Sequence, residues 1–184
     1  FMVVQFRVVD DRVDYAGLEI WSFVVVAVLS GVLVAVFEET LFRGVLFGVL
    51  RRAGSYALTA SAVSVLYASV HFLTSDSGLV DTVAWYTGYG FVLESFAGLA
   101  DPSGYWDAFV ALFLLGLLLC WVRENYGLWW CIGLHAAWVF AIRLFKELTV
   151  RDIYSPYASW VSSYDNFVGN LVSVWLIFMF VVLA

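Results

Sequence analysis

Charged side chains are scarce in this sequence. Lys, Arg, Asp and Glu make up only 13% of the 184 residues, 64% are hydrophobic, and the mean hydropathy is +0.93. Soluble domains usually carry about 25% charged residues, so the composition excludes an ordinary soluble protein. Because lipid offers no partners to backbone groups, and because the apolar runs are long and unbroken, the spans are expected to be helices. The sequence therefore predicts an all-α, polytopic membrane protein.

Cysteines and basic runs are also scarce. The two cysteines, Cys120 and Cys131, lie in apolar stretches and provide neither a disulfide framework nor a zinc-type spacing. The net charge is −6 and no basic run is present, so we expect no nucleic-acid partner. No basic segment precedes the first apolar run, so no signal peptide is predicted. The chain starts at Phe1 and stops at Ala184 within an apolar run; we expect missing helices before Phe1 and leave truncation after Ala184 open.

Apolar runs divide the chain, treated as one domain over residues 1–184, into five or six spans. Five are predicted at residues 18–37, 53–73, 106–122, 128–145 and 167–184. The first is expected to continue, with a break near Gly44 or Gly48, into an interfacial segment ending at Arg51 and Arg52. Residues 83–99 are aromatic and interrupted by glycines, which favours a re-entrant or surface-lying segment. With only five spans, Arg43, Arg51 and Arg52 lie on the opposite side of the membrane from Arg143, Lys146 and Arg151. A sixth span at residues 83–99 would place both groups in the cytoplasm, where Lys and Arg are preferred. The orientation therefore stays open.

The most informative group of charges follows the first apolar run. No charged residue occurs from Ile20 to Phe37, and Glu38, Glu39 and Arg43 then follow directly. A charge at the centre of a membrane helix costs about 2.5–3.5 kcal/mol and usually faces the bundle interior or a wet cavity. Glu39 and Arg43 are spaced i, i+4 and can pair, whereas Glu38 points about 100° away. Glu38 is therefore predicted to be free for chemistry.

Both histidines of the chain lie in predicted spans. His71 is near the end of the second span, and His135 is midway along the fourth. Together with Glu38 they form a predicted polar site drawn from three spans. A carboxylate and an imidazole in a low-dielectric cavity suit water activation, and the same three side chains are also a possible zinc-ligand set. No HExxH helix selects the metal interpretation, so no cofactor is certain and zinc stays open.

The sequence gives less support to nucleophilic catalysis by a serine. Ser61, Ser64 and Ser69 lie in the second span, but their spacing is better explained by helix packing. Ala60, Ser64 and Ala68 form a small-residue seam that allows another helix to approach closely.

Three motifs give the chain a resemblance to a known family. The stretch 38–43 matches EExxxR, residues 67–71 resemble FxxxH with Tyr in place of Phe, and residues 133–138 resemble GlHaaW. In this order, from about residue 18 to 145, the chain resembles the CPBP family of intramembrane proteases. That family includes type II CAAX prenyl endopeptidases and bacterial relatives tied to bacteriocin processing or self-immunity. The resemblance implies a CAAX-protease-like helical bundle, in a bacterial inner membrane, with a cavity open toward the lipid.

The resemblance also implies a role for each site residue. Glu38 would activate water with His71, and His135 would help to stabilise the oxyanion. Arg43 and Glu39 would hold the geometry of the motif.

One position departs from the family pattern. The family often has Asn or Asp four residues after the second histidine, where this chain has Val139. Loss of one oxyanion-hole donor typically costs about 10²- to 10³-fold in kcat. Asn170 and Trp138 are candidate replacements.

Three functions are therefore weighed. The first is an endopeptidase that cleaves a peptide or protein substrate near the membrane surface. The second is a catalytically weak or inactive family member, acting as a binding or immunity protein or as a subunit of a membrane complex; Val139 favours it. The third is a transporter or proton relay, which neither repeats nor paired broken helices support. In every case membrane lipid is an expected partner.

Overall fold

The fold is a helical bundle. A computed structural model describes residues 7–9, 18–73, 87–97, 99, 104–152, 154–162, 164–165 and 167–183. Its α-helices are α1 (Leu18–Glu39), α2 (Phe47–Ala53), α3 (Tyr56–Val70), α4 (Thr87–Ala97), α5 (Trp106–Tyr126), α6 (Leu128–Leu148) and α7 (Asn170–Leu183). A π-helical segment, Thr40–Leu46, joins α1 to α2, and a 3₁₀ turn, Ala158–Trp160, precedes α7. Strands β1 (Arg7–Val9) and β2 (Thr149–Arg151) pair antiparallel, a minor addition to the predicted all-α architecture, which is confirmed.

Three helices in the described part of the chain are long and apolar enough to cross a membrane. They cover Ile20–Ala53, Trp106–Tyr126 and Leu128–Leu148. Helices α3 and α7 are apolar but shorter, with 15 and 14 residues. The predicted second and last spans are thus real helices with later starts and earlier ends than expected.

The segment proposed as a possible sixth span is too short for that purpose. Helix α4 has 11 residues and is about 16 Å long, against a hydrocarbon core of about 30 Å. Its described side chains are mostly exposed. The surface-lying alternative therefore fits better, while residues 74–86 and 98 lie outside the described residues.

The expected break near Gly44 or Gly48 is not found. The chain remains helical through both glycines, and the irregularity is instead a change to π-helical winding from Thr40 to Leu46. π-helical segments within α-helices are frequent at functional sites. Here the segment begins directly after Glu39 and contains Arg43.

Small residues bring the helices close at two interfaces. The seam predicted from Ala60, Ser64 and Ala68 is buried, and α3 packs there against α5. A Cβ on Gly116 of α5 would lie only 2.8 Å from the Ser64 Cβ, so this approach requires glycine. The predicted role of the seam is confirmed.

The second close interface joins α1 to α6. Ala27, Gly31 and Ala35 follow one another at i+4 spacing, and all three are buried. A Cβ on Gly31 would lie 2.8 Å from the backbone oxygen of Ala136. Because the ridge continues at the same spacing to Glu39, the packing of α1 on α6 carries this carboxylate into the bundle interior.

Candidate active site

Glu39 and Arg43 form a fully buried ion pair. Arg43 Nη1 donates to Glu39 Oε1 at 3.0 Å, and both side chains are 0% exposed. Arg43 Nη2 donates to the backbone oxygen of Gly116 at 3.3 Å, and the guanidinium carbon lies 4.3 Å from the centre of the Tyr67 ring. The predicted i, i+4 pairing is confirmed, and it ties the motif to α3 and α5.

The same carboxylate orients His135. Glu39 Oε1 lies 2.7 Å from His135 Nδ1, a hydrogen bond in which the ring nitrogen donates to the carboxylate. His135 is 5% exposed, and its other ring nitrogen, Nε2, lies 3.9 Å from Glu38 Oε2. Glu39 therefore sets which edge of the imidazole faces Glu38.

His71 is the second imidazole close to Glu38. The sequence predicts His71 inside a helix, but the residue instead caps the C-terminus of α3 at the start of a turn. Its Nδ1 donates to the Tyr67 backbone oxygen at 2.7 Å, and its Nε2 lies 3.9 Å from Glu38 Oε2. Tyr164 stabilises this turn, because its hydroxyl donates to the His71 backbone oxygen at 2.6 Å.

Glu38 lies at the same distance from both imidazoles. Its side chain is 23% exposed, but Oε2 is buried and has no hydrogen-bond partner within the described residues. A distance of 3.9 Å is too long for a direct hydrogen bond to either ring. With Nδ1 of both rings donating, Nε2 is the ring atom of each histidine that faces Glu38. Such a site suits a small polar molecule such as water, which both donates and accepts hydrogen bonds.

A cavity of about 160 Å³ opens beside these groups. It is lined by Tyr67, His71, Ala111, Leu112, Leu115, His135, Trp138, Val139, Ile142, Val168 and Val172. Its walls are mainly aliphatic, and its polar groups come from both histidines, Tyr67 and Trp138. Of the two candidate donors expected from the sequence, Trp138 lines the cavity, whereas Asn170 is exposed at the first turn of α7 and is not part of the lining.

The geometry does not fit the alternative zinc site. Tetrahedral zinc with bonds of about 2.0–2.1 Å holds neighbouring ligand atoms about 3.4 Å apart. Each Nε2 lies 3.9 Å from Glu38 Oε2 instead. Across the described ranges, no group of three His, Cys, Asp or Glu side chains is arranged to hold a metal ion.

The comparison with family models decides the identity. A model described as type II CAAX prenyl endopeptidase Rce1-like matches residues 20–141, about two thirds of the chain. The chain belongs to this family. It is therefore an integral membrane protein of the CAAX-type intramembrane protease class. No curated protein and no solved structure matches it.

The Rce1-like match contains every residue of the site just described. It runs from the first turn of α1 to Ala141 in α6 and so includes Glu38, Glu39, Arg43, His71 and His135. Whether each residue has the role implied by the family resemblance remains a prediction.

Sequence reasoning missed the Gly116 carbonyl and assigned no role in the site to Tyr67. The Gly116 carbonyl has no side-chain signal, because a backbone acceptor can come from any residue. The ring of Tyr67, by contrast, was visible as the first residue of the FxxxH-like motif; it packs edge-on against His71 at 4.7 Å and His135 at 6.3 Å between centroids.

Proposed function

We propose that this chain is an intramembrane endopeptidase of a bacterial inner membrane that hydrolyses a peptide bond with water activated by Glu38. The observation that carries the proposal is the buried, unpartnered Glu38 Oε2, placed 3.9 Å from Nε2 of each histidine. Atoms at this separation can share one water molecule at ordinary hydrogen-bond distances of about 2.8 Å.

Glu38 Oε2 and His71 Nε2 accept hydrogen bonds from the two protons of that water. Glu38 takes one proton as the oxygen bonds to the carbonyl carbon of the substrate, and the carbonyl π electrons move to its oxygen. The tetrahedral intermediate then collapses, the carbon–nitrogen bond breaks, and Glu38 returns the proton to the leaving nitrogen. The products are a carboxylic acid and an amine, and the proton taken from water ends on the amine.

The two histidines have different roles in this mechanism. His71, held by the Tyr67 carbonyl, orients the attacking water through Nε2. His135 donates to Glu39 through Nδ1, which fixes the ring with Nε2 toward Glu38. When both ring nitrogens carry a proton, Nε2–H donates to the developing oxyanion.

Tyr67 supplies a second oxyanion donor. Its ring lines the cavity and contacts both imidazoles, and its hydroxyl has no hydrogen bond to another described residue. Val139 lines the same cavity and has no donor, so a hydroxyl on Tyr67 compensates for it. Trp138 also lines the cavity but makes no described ring contact with either histidine, which favours Tyr67.

The substrate proposal follows the family description and the cavity wall. The family name refers to prenylated CAAX tails. The aliphatic side chains beside the histidines, including Leu112, Leu115 and Ile142, suit an apolar group near the cleaved bond.

The test uses purified protein in liposomes and an internally quenched CAAX peptide, supplied with and without a farnesyl group. Glu38→Gln is isosteric but cannot accept the proton, and we expect kcat to fall at least about 10³-fold. Glu147→Gln removes an exposed carboxylate of α6 and serves as the matched control, with kcat unchanged. Equal cleavage by Glu38→Gln and the unmodified chain would remove Glu38 from catalysis.

A second function, a non-catalytic binding or immunity protein or a subunit of a membrane complex, is favoured by Val139 and by Trp- and Tyr-rich flanks that could pack on a partner. It predicts that the unmodified chain cleaves neither peptide and that the cellular phenotype survives Glu38→Gln. Cleavage that is lost in Glu38→Gln decides against it.

A further inference from the structure

Arginines line a second cavity at the end of the bundle where α2 meets the turn between α5 and α6. Its volume is about 220 Å³, and it is lined by Phe47, Gly48, Arg51, Arg52, Arg123 and Glu124. Three guanidinium groups face one carboxylate, so the cavity carries a net positive charge. The proposed hydrolysis uses none of these residues.

Arg51 and Glu124 build the wall of this cavity. Arg51 donates to Glu124 Oε1 through Nε at 3.1 Å and through Nη2 at 3.0 Å, and its Nη1 donates to the Gly54 backbone oxygen at 3.3 Å. Each of the three guanidinium nitrogens therefore donates a hydrogen bond, and the Glu124 carboxylate pairs with the charge of Arg51.

Arg52 and Arg123 keep free donors. Arg123 donates through Nε to the Arg43 backbone oxygen at 3.1 Å, which fixes the guanidinium against the π-helical segment. Its terminal nitrogens, and the whole exposed guanidinium of Arg52, make no hydrogen bond or ion pair with any other residue that the structure describes. Two forked donors thus lie at one cavity, the geometry that recognises phosphate oxygens.

Aromatic side chains place this end of the bundle at the membrane surface. Tyr126, Trp129 and Trp130 flank the turn between α5 and α6, and all three are exposed, Trp129 to 82%. Exposed Trp and Tyr at helix ends mark the headgroup level of a bilayer. The adjacent cavity is therefore at the depth of lipid phosphates.

We propose that this cavity binds the phosphodiester headgroup of an anionic glycerophospholipid. Arg52 and Arg123 contact the phosphate oxygens, and Arg51 with Glu124 holds the wall. Gly48 leaves room for the ligand, since a Cβ there would meet no atom within 4 Å. The headgroup of a zwitterionic lipid also contains a positive charge, which the net positive charge of the cavity repels.

The test titrates the purified full chain, in neutral detergent, with phosphatidylglycerol or phosphatidylcholine, and follows bound lipid by native mass spectrometry. We expect phosphatidylglycerol to bind and phosphatidylcholine not to compete. Arg52→Gln is expected to weaken phosphatidylglycerol binding about fivefold. Gly48→Leu, which fills the cavity without changing any charge, is expected to abolish it.

Arg143→Gln is the charge-matched control, because Arg143 is exposed on α6 away from this cavity; binding should be unchanged. Equal binding of the two lipids would overturn the proposal, as would equal losses in Arg52→Gln and Arg143→Gln. Glycerol 3-phosphate competing as strongly as phosphatidylglycerol would also overturn it, because the site would then recognise a soluble phosphate and not a lipid.

Discussion

Arg43 is the residue on which the geometry of the candidate site depends most. One guanidinium contacts Glu39, the Gly116 carbonyl and the face of Tyr67, and these belong to three different helices. Burial of both charges has a desolvation cost of several kcal/mol per ion, so the pair is weak evidence for stability. Removing one partner is different, since it leaves the other charge uncompensated.

Arg43→Met is therefore expected to lower the free energy of unfolding by about 3–5 kcal/mol. The double variant Glu39→Gln/Arg43→Met should be less destabilised than Arg43→Met alone, because no unpaired charge remains. Unfolding in mixed detergent micelles measures both. Losses that simply add would show that the two side chains are not coupled.

Tyr67→Phe separates the hydroxyl from the ring. The ring, and with it the contacts to Arg43 and His71, is retained. We expect kcat on the quenched peptide to fall about 10²-fold, the usual cost of one oxyanion donor, with KM and the melting temperature unchanged. Tyr56→Phe on the same helix is the control; a similar fall there, or none in Tyr67→Phe, would exclude the hydroxyl as a donor.

At the level of elements, the interface between α1 and α6 sets the distance from Glu38 to His135. Gly31 faces Ala136, the residue next to His135, and a Cβ on Gly31 would also lie 3.3 Å from the Phe140 nitrogen. Both near atoms belong to the backbone of α6, which cannot rotate away as a side chain can. A side chain at position 31 must therefore displace α6.

Gly31→Ala is expected to reduce kcat about 10²-fold, since a displacement of about 1 Å at a catalytic group has that effect. The stability should also fall, by about 1–3 kcal/mol, through overpacking. Gly133→Ala on α6 is the matched control, because a Cβ there meets no atom within 4 Å and activity should be retained. Equal activity in the two variants would show that the spacing of these helices does not control the site.

At the level of the whole molecule, α5 and α6 form an antiparallel pair that places their connecting turn on one side of the membrane. The last turn of α5, next to this connection, contains the exposed Asn125, and the segment after α6 contains the exposed Tyr154. Both native cysteines are buried, which gives a low background for thiol labelling.

Asn125→Cys and Tyr154→Cys are therefore expected to react with a membrane-impermeant maleimide from opposite sides of sealed vesicles. The physical reason is that α6 has 21 residues, about 31 Å, and so crosses the hydrocarbon core between the two positions. Labelling of both cysteines from the same side would show that α6 does not span. The result also fixes the orientation that the distribution of Lys and Arg leaves open.

Much of this architecture was predictable from local pattern. Apolar runs located the helices, and i+4 spacing predicted both the Glu39–Arg43 pair and the seam on α3, because these depend only on helix periodicity. The helix ends were less predictable. His71 was expected inside a span, but the helix ends one residue earlier, since turn contacts such as the one from Tyr164 lie far away in the sequence.

The sequence by itself determined the membrane environment, the helical class and which few polar residues are available for chemistry, because composition and periodicity are properties of neighbouring residues. Only the tertiary structure decided that Glu38 lies 3.9 Å from each Nε2, that Glu39 is shared by Arg43 and His135, and that the spacing does not fit tetrahedral zinc. These distances depend on how closely four helices approach. That approach is set by side-chain volumes at contacts between residues as far apart as Gly31 and Ala136, which no local pattern specifies.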